Sequence, residues 1–499
     1  MKSVIVTLYG VQAYSILVTI AATPFLIMYL GAEGYGLIGL YFVIQMLLQV
    51  VDGGLTGTIT KLSANLNPLS TSSVTHFHAS YSYFKKLICA GIFVIFCISL
   101  ILYLGGFFPL LIESSFSVNT INNCVILMLL CVAFRFFALS DRGFLQGIEK
   151  QSAIAVSNFV SITLRYPIAL LILAIFHTDI TLFFMFQLAV VLVEVCILKF
   201  FSRLYMKRLN ILTCQTLTSH KEIIGKKWLI SHSSSLWAIS ILWVLASQLD
   251  KLILSFSISL DDYGVFSLAL VCANLMLTMF IPINQVLMPR FVKLYANSDK
   301  SGMISEVLQS IHLYVCFFSI IVMGLLFFGG EILFLWTSNA DMSLKANDFL
   351  GYLAVGNFIH GVTNIIFITV YASNDLAVYA KRYMYHVLVF LPISIYAAIA
   401  HKEFGVVVVW VASAVLFFGH TAVPFLKRIV GMKNVLYSIV VAFSQLFIVV
   451  FFMFLFKSYV SLSDLNRLEV LVVLGLLFSF LLGVNYLITS KITKFVGRL

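Results

Sequence analysis

The chain has 499 residues, of which 61% are hydrophobic and only 10% are charged, and its mean hydropathy is +1.06. Because a soluble domain carries about one quarter charged residues, this composition excludes a soluble protein and predicts an all-α polytopic membrane protein. The net charge of +11 does not indicate nucleic-acid binding, since the basic residues fall between apolar segments and not in one patch. The eight cysteines lack metal-type spacing, which predicts free thiols and no metal site.

In chain order, the apolar segments that are long enough to cross a bilayer predict about fourteen transmembrane helices. They cover roughly residues 4–30, 36–62, 86–108, 121–147, 151–176, 180–201, 230–257, 263–288, 307–329, 347–372, 381–401, 404–426, 435–456 and 467–490. The predicted domains are an N-lobe at residues 1–201, a cytoplasmic linker at 202–229, a C-lobe at 230–426 and two further helices at 427–499. The linker is basic and partly amphipathic, which favours a surface helix on anionic headgroups.

The distribution of basic residues predicts the orientation of the chain. Of the 31 Lys and Arg residues, 24 fall at the termini and on the loops of the same side, whereas four fall on the opposite loops. Three more, Arg135, Arg165 and Lys251, lie inside spans. Because cytoplasmic loops carry the excess of positive charge, both termini are predicted to be cytoplasmic. The longest cytoplasmic connections are then residues 63–84 and 202–229, and the outer loops are short.

An internal repeat supports the two lobes. Residues 29–40 (YLGAEGYGLIGL) precede the second span, and residues 259–268 (SLDDYGVFSL) precede the eighth. Both segments place an acidic residue, a tyrosine and a glycine in an outer turn, and both following spans end in a Lys-Leu pair, at Lys61 and Lys293. The pattern predicts two parallel copies of a six-helix unit, an arrangement that transporters use around a central substrate site.

Two arginines lie near the centres of neighbouring spans, Arg135 in the fourth and Arg165 in the fifth. A charge at that depth costs on the order of 2.5–3.5 kcal/mol, so both residues are functional candidates. We expect them to line a polar cavity for an anionic ligand. The alternative is a structural salt bridge to Asp52 or Glu194, the other two ionisable residues deep in the first half. Arg142 lies seven residues after Arg135, which permits a cationic stripe on one helix face, although the pair Asp141-Arg142 is also typical of a membrane interface.

Local sequence adds two predictions about these residues. Asp52 precedes Gly53-Gly54, which favours either a broken helix that binds a cation or close helix contact at small residues. Arg165 is followed two residues later by Pro167, which has no backbone N–H and therefore predicts a helix kink beside the charge. Glu194 is interpreted as the carboxylate that neutralises an arginine, with ion coupling as its other candidate role.

The second half carries one deep ionisable motif, Asp250-Lys251 in the seventh span. One interpretation is an ion-coupling carboxylate beside a substrate-facing lysine, and the other is an ion pair between helices. Asn357, His360 and Asn364 share one helix face by spacing, which indicates either a cavity lining or interhelical hydrogen bonds. The chain has no ATP-binding loop, nucleophile elbow or dinucleotide loop, so no catalytic residue is predicted and the chain is expected not to be an enzyme.

Residues 29–40, residues 47–55 (LLQVVDGGL) and Lys61 together resemble the first signature of the Wzx-type polysaccharide flippases. Residues 247–254 (SQLDKLIL), followed by Tyr263-Gly264, resemble the helix 7–8 signature of the same family. These flippases belong to the multidrug/oligosaccharidyl-lipid/polysaccharide (MOP) exporter superfamily, and the fourteen-helix plan is similar over essentially the whole chain. The second half departs from a cavity charged evenly by both lobes, because it adds little positive charge beyond Lys251.

The resemblance implies export of an undecaprenyl-diphosphate-linked oligosaccharide across the bacterial inner membrane by ion-coupled alternating access. It implies that a cationic cavity receives the diphosphate, with substrate-binding candidates Arg135, Arg165, Arg142 and Lys251 and ion-coupling candidates Asp52, Asp250 and Glu194. No cofactor is expected beyond a proton or Na⁺ gradient. Membrane lipids, a polysaccharide polymerase and a chain-length regulator are the expected partners. The alternatives are a small-molecule or drug antiporter of the same fold and a membrane polysaccharide polymerase, against which the short outer loops argue.

Overall fold

The structure is a computed structural model, and it describes residues 2–52, 55–64, 66, 70–104, 112–176, 179–209, 241–373, 375–460 and 466–496. Within these ranges the chain is almost entirely helical, and the extended structure amounts to an isolated bridge between Glu113 and Ser259. Eleven helices of the described ranges are long and apolar enough to cross a membrane. The predicted all-α polytopic class is therefore confirmed, while the number of crossings and the side of the termini stay predictions.

The helices of the first half are α1 (Lys2–Asp52), α2 (Leu55–Ala64), α3 (Thr71–Leu104), α4 (Val118–Gly147), α5 (Gln151–Thr163), a π-turn (Leu164–Ile168), α6 (Ala169–Phe176), α7 (Ile180–Arg208) and α8 (241–254). Those of the second half are α9 (Leu260–Ala296), α10 (Lys300–Thr337), α11 (Ala340–Ala372), α12 (Leu376–Ala400), α13 (Lys402–Phe417), a π-turn (Phe418–Ala422), α14 (Val423–Val430), α15 (Met432–Tyr459) and α16 (Arg467–Val496). Each predicted span falls on one or two of these helices.

Helix α1 contains the first predicted span and the second as far as Asp52, with a break at Gly31 between them. This residue has φ 70° and ψ −178°, which is outside the helical region and costs little without a Cβ. The predicted spans end at residue 30 and begin again at residue 36, so the break lies where the sequence places an outer turn.

Helix α3 begins at Thr71, fifteen residues before the predicted span, so most of the connection predicted at residues 63–84 is helical. Val74, Phe77, Tyr81 and Phe84 are buried at helical spacing and form a core with residues of α4, α5 and α7. Hydropathy underestimates such a segment because serine, threonine and histidine residues alternate with its apolar residues. The predicted linker at 202–229 begins as the end of α7, and its residues from 210 onward lie outside the described residues.

The chain forms two compact units, unit 1 (Met1–Gly264) and unit 2 (Val265–Leu499). In unit 1, α4 is central and packs against α2, α3 and α7. In unit 2, α10 is central and packs against α11, α15 and α16. The predicted lobe boundaries at residues 201 and 230 stay predictions.

The two repeated outer segments contact each other within unit 1. A Cβ atom on Gly36 would collide with the carbonyl oxygen of Leu260, and a Cβ atom on Gly264 would collide with that of Ala32. The start of α9 is held further by a hydrogen bond of 2.8 Å from the Leu260 amide to the carbonyl of Glu113. The glycines of the repeat therefore allow two backbones to cross at a distance that a larger residue would prevent.

Candidate functional site

The candidate site is a cluster of charged side chains inside unit 1. Helix α4 carries Arg135 and Arg142, which are seven residues apart and therefore share one face of the helix. The π-turn after α5 carries Arg165, and α7 carries Glu194. Two helical segments thus direct three guanidinium groups at one carboxylate on a third.

Both oxygens of Glu194 are used. Its Oε2 atom lies 3.3 Å from Nη2 of Arg135 and 3.6 Å from Nη2 of Arg165, and its Oε1 atom lies 3.9 Å from Nη2 of Arg142. The carboxylate is 11% exposed, and the three arginine side chains are 14–33% exposed. The structure therefore brings together four of the predicted site residues. Glu194 lies beside the arginines, where a neutralising carboxylate is predicted.

Three amide side chains that the sequence prediction missed complete the cluster. Gln45 on α1 accepts a hydrogen bond from Nη1 of Arg135, and Asn158 on α5 accepts one from Nη2 of Arg142 at 2.6 Å. Gln187 on α7 donates from Nε2 to the carbonyl oxygen of Arg165 at 3.2 Å. Heptad spacing was the available signal, because Asn158 precedes Arg165 by seven residues and Gln187 precedes Glu194 by seven.

The structure has a π-turn at Pro167, where the sequence predicts a helix kink. Since Pro167 has no N–H, the carbonyl of Thr163 loses its normal helical donor. Two residues after the proline, the amide of Ala169 donates to the carbonyls of Leu164 and Tyr166 in place of that of Arg165. The Arg165 carbonyl is thereby open to the Gln187 amide, so the irregular backbone fixes the arginine on the face that Glu194 occupies.

The cluster holds more positive charge than one carboxylate neutralises. With three arginines and one glutamate, the formal charge of the group is +2. Within the described part of the chain, the Nε atoms of all three arginines are buried without a hydrogen-bond acceptor. A buried charged donor that lacks an acceptor is costly, so the arrangement is suited to receive an anion with several acceptor oxygens.

The remaining predicted residues lie elsewhere. Asp52 ends α1, but its side chain and the following Gly53-Gly54 lie outside the described residues. Asp250 and Lys251 form a buried pair within α8, with Nζ at 3.3 Å from Oδ1, and Lys251 also donates to the carbonyl of Ser247 at 2.7 Å. This ion pair joins neighbours in one helix, whereas the sequence interpretation placed an ion pair between helices.

Two further polar residues receive structural partners. Asp141 accepts a hydrogen bond from the hydroxyl of Tyr81 at 2.8 Å, so it connects α3 with α4 while its neighbour Arg142 joins the cluster. Asn357 on α11 donates to Asn274 on α9 at 3.0 Å, which agrees with interhelical hydrogen bonding.

Several solved structures share the fold of this chain. The lipid II flippase MurJ, in an inward closed conformation, aligns with a TM-score of 0.62 and 13% identity over 99% of this chain and 98% of the flippase. An inward-facing multidrug resistance MATE family transporter of the MOP superfamily aligns with a TM-score of 0.60 and 12% identity over 83% of this chain and 96% of the transporter. A MOP superfamily transporter from Pyrococcus furiosus aligns with a TM-score of 0.52 and 12% identity over 82% of this chain and 95% of that transporter. At these identities the likeness establishes the fold alone.

The chain is thus a multi-pass membrane protein with the fold of MOP transporters and flippases, as the sequence resemblance predicted. The family model described as polysaccharide biosynthesis protein matches residues 1–295, and the chain belongs to this family. A search of curated proteins returns no significant match. The proteins that share the fold are transporters and flippases and not enzymes, in agreement with the sequence prediction.

Proposed function

We propose that the chain is a flippase for an undecaprenyl-diphosphate-linked oligosaccharide, such as an O-antigen or a similar repeat unit of a surface polysaccharide. The cargo moves from the cytoplasmic to the periplasmic face of a bacterial inner membrane by ion-coupled alternating access. The family supports a role in polysaccharide biosynthesis. The fold is shared with MurJ, which is a flippase for lipid II. The observation that carries the proposal is the cluster of three arginines around Glu194.

The charge and the geometry of the cluster suit a diphosphate. A diphosphate that is esterified at both ends carries about two negative charges at neutral pH, which equals the excess charge of the cluster. Guanidinium groups bind phosphate oxygens through two parallel N–H donors, and the three buried Nε atoms are donors of this kind. A cationic drug would instead meet a group of its own sign, which argues against a small-molecule antiporter of cations.

Glu194 has a defined part in the proposed cycle. Before the cargo binds, its carboxylate offsets part of the repulsion among three like charges. When a diphosphate enters, its oxygens compete with that carboxylate for the same N–H donors. Glu194 is also proposed as an ion-coupling group together with Asp52 and Asp250, and the driving gradient is one of protons or Na⁺. A polymerase and a chain-length regulator that use the exported unit belong to the same proposal.

The direct test is a lipid extract from cells that lack the gene. We expect diphosphate-linked oligosaccharide to accumulate on the cytoplasmic face of the inner membrane, and its mass spectrum would identify the sugars. Sidedness is measured by the access of a membrane-impermeant glycan-oxidising or lectin probe in oriented vesicles. An unchanged lipid pool with intact surface polysaccharide would overturn the flippase proposal and support a small-molecule exporter.

A further inference from the structure

Unit 2 contains a histidine pair that the proposed function does not use. His386 lies on α12 and is 6% exposed, whereas His420 lies in the second π-turn and is exposed. The Nδ1 atom of His386 lies 3.1 Å from Nε2 of His420, which is a hydrogen bond between the two imidazole rings. π-turns inside helices are often found at functional sites, and this one places His420 against α12.

Hydroxyl groups close both ends of the pair. Nε2 of His386 lies 2.8 Å from the hydroxyl of Ser413 on α13, and Nδ1 of His420 lies 2.7 Å from the hydroxyl of Thr421. The result is a continuous chain of four groups, from Ser413 through the two rings to Thr421. Every ring nitrogen of the pair has a partner within hydrogen-bonding distance.

The chain of hydrogen bonds determines how many protons the pair accepts. A neutral imidazole has one N–H donor and one acceptor nitrogen, and a hydroxyl can donate or accept. The neutral pair is therefore satisfied with its donors pointing either toward Ser413 or toward Thr421. With one added proton, both terminal N–H groups donate to hydroxyls and the third N–H bridges the two rings. A second proton would place two N–H groups against each other and break the bridge.

Nearby charges also oppose a second proton. Arg382, one helical turn before His386, donates to the backbone carbonyl of His420 at 3.0 Å. Other titratable or charged groups on these elements include Tyr379, Lys381, Tyr383 and Tyr385 on α12, Lys402 and Glu403 at the start of α13, His360 of α11 beside Trp410, Lys427 of α14, and Arg428, which pairs with Asp375 at 3.2 Å. A doubly protonated pair would place two positive charges in contact, with the Arg382 side chain nearby, which is unfavourable because the His386 ring is buried.

We propose that His386 and His420 form a binding site for one proton, which enters through the exposed ring of His420 and is shared by the two imidazoles. The hydrogen bond between the two rings exists only while a single N–H lies between them. The pair therefore titrates as a unit. Any use of the site to drive transport rests on the proposed flippase function, but proton binding itself does not.

The test counts protons on the purified full-length protein in nanodiscs. Proton uptake between about pH 8 and about pH 4, a window that spans ordinary histidine titration, is measured by potentiometry. The samples are the wild type, His386→Gln, His420→Gln and the double variant. We expect neither single variant to lose a proton, because the remaining ring accepts it, and the double variant to lose one.

Two outcomes would overturn the proposal. Losses of one, one and two protons would mean that the histidines titrate independently, and no loss in any of the three variants would mean that the pair binds no proton. Infrared difference spectra of the wild type with ¹³C-labelled histidine provide a check that needs no variant. They should contain an imidazolium signal with a bridging N–H, and its absence throughout the pH range would exclude the shared proton.

Discussion

Glu194 is the residue on which the arginine cluster depends. One carboxylate contacts three guanidinium groups from α4 and the π-turn, so none of the arginines is neutralised by a partner of its own. Burying an ion pair costs desolvation energy that its attraction rarely exceeds, so stability alone gives no reason to keep three arginines at this depth. The excess charge therefore favours a ligand-binding role over a purely structural one.

Loss of two of the arginines should abolish function without unfolding the protein. A hydrogen bond to a charged group contributes about 1.5–3 kcal/mol, so each substitution should weaken anion binding roughly tenfold or more. We expect the double variant Arg135→Gln and Arg165→Gln to lose export of surface polysaccharide in a complementation assay while it remains in the membrane at wild-type level.

The matched control for that variant is Arg290→Gln. Arg290 is also in an ion pair, with Glu306 at 2.9 Å, but its side chain is 62% exposed on unit 2. Because exposed pairs contribute at most about 1 kcal/mol, this variant should export normally. Full complementation by the double variant would reduce the cluster to a structural element.

The sequence predicts the charged part of this site better than its polar part. Arg135 and Arg165 are identified because a charge at mid-membrane depth is rare and costly. Gln45, Asn158 and Gln187 are missed because amides in membrane helices are common and usually form hydrogen bonds between helices. The contact of both Arg135 and Arg165 with one glutamate depends on the rotation of α4, α5 and α7 about their axes, which periodicity constrains but does not determine.

At the scale of elements, the crossing at Gly36 and Gly264 is the contact least tolerant of change. Neither Cβ atom has room, since each would meet a backbone carbonyl that cannot rotate away. We expect Gly36→Ala and Gly264→Ala each to destabilise the protein by about 1–3 kcal/mol through overpacking, seen as a lower thermal unfolding midpoint in detergent.

Gly475→Ala is the control for the crossing. A Cβ at Gly475 on α16 meets nothing within 4 Å, and alanine is the better helix former, so this variant should be neutral or slightly stabilised. Equal midpoints for all three alanine variants would show that the close contact of the repeated segments contributes nothing to stability.

Element positions follow from the sequence more closely than element ends do. Within the described residues, the predicted spans fall on helices, because apolar runs of that length have no other stable form in a bilayer. The start of α3 at Thr71 is missed because residues 71–85 are amphipathic and lie beyond the apolar run. The π-turn at His420 is missed altogether, although Pro424, two residues after its end, has no N–H to donate to the His420 carbonyl and was the available signal.

At the scale of the whole molecule, the charge asymmetry of the loops predicts that both termini are cytoplasmic, and chemical labelling can test this. In a cysteine-free parent, Lys402→Cys reports a predicted outer loop and Lys433→Cys a predicted inner one, and both positions are exposed. We expect a membrane-impermeant maleimide added to intact spheroplasts to label the first and to label the second only after permeabilisation. The positive-inside rule predicts this orientation from the total charge bias of the short loops. The reverse labelling pattern would show that the orientation is opposite to the predicted one and would contradict the proposed direction of export.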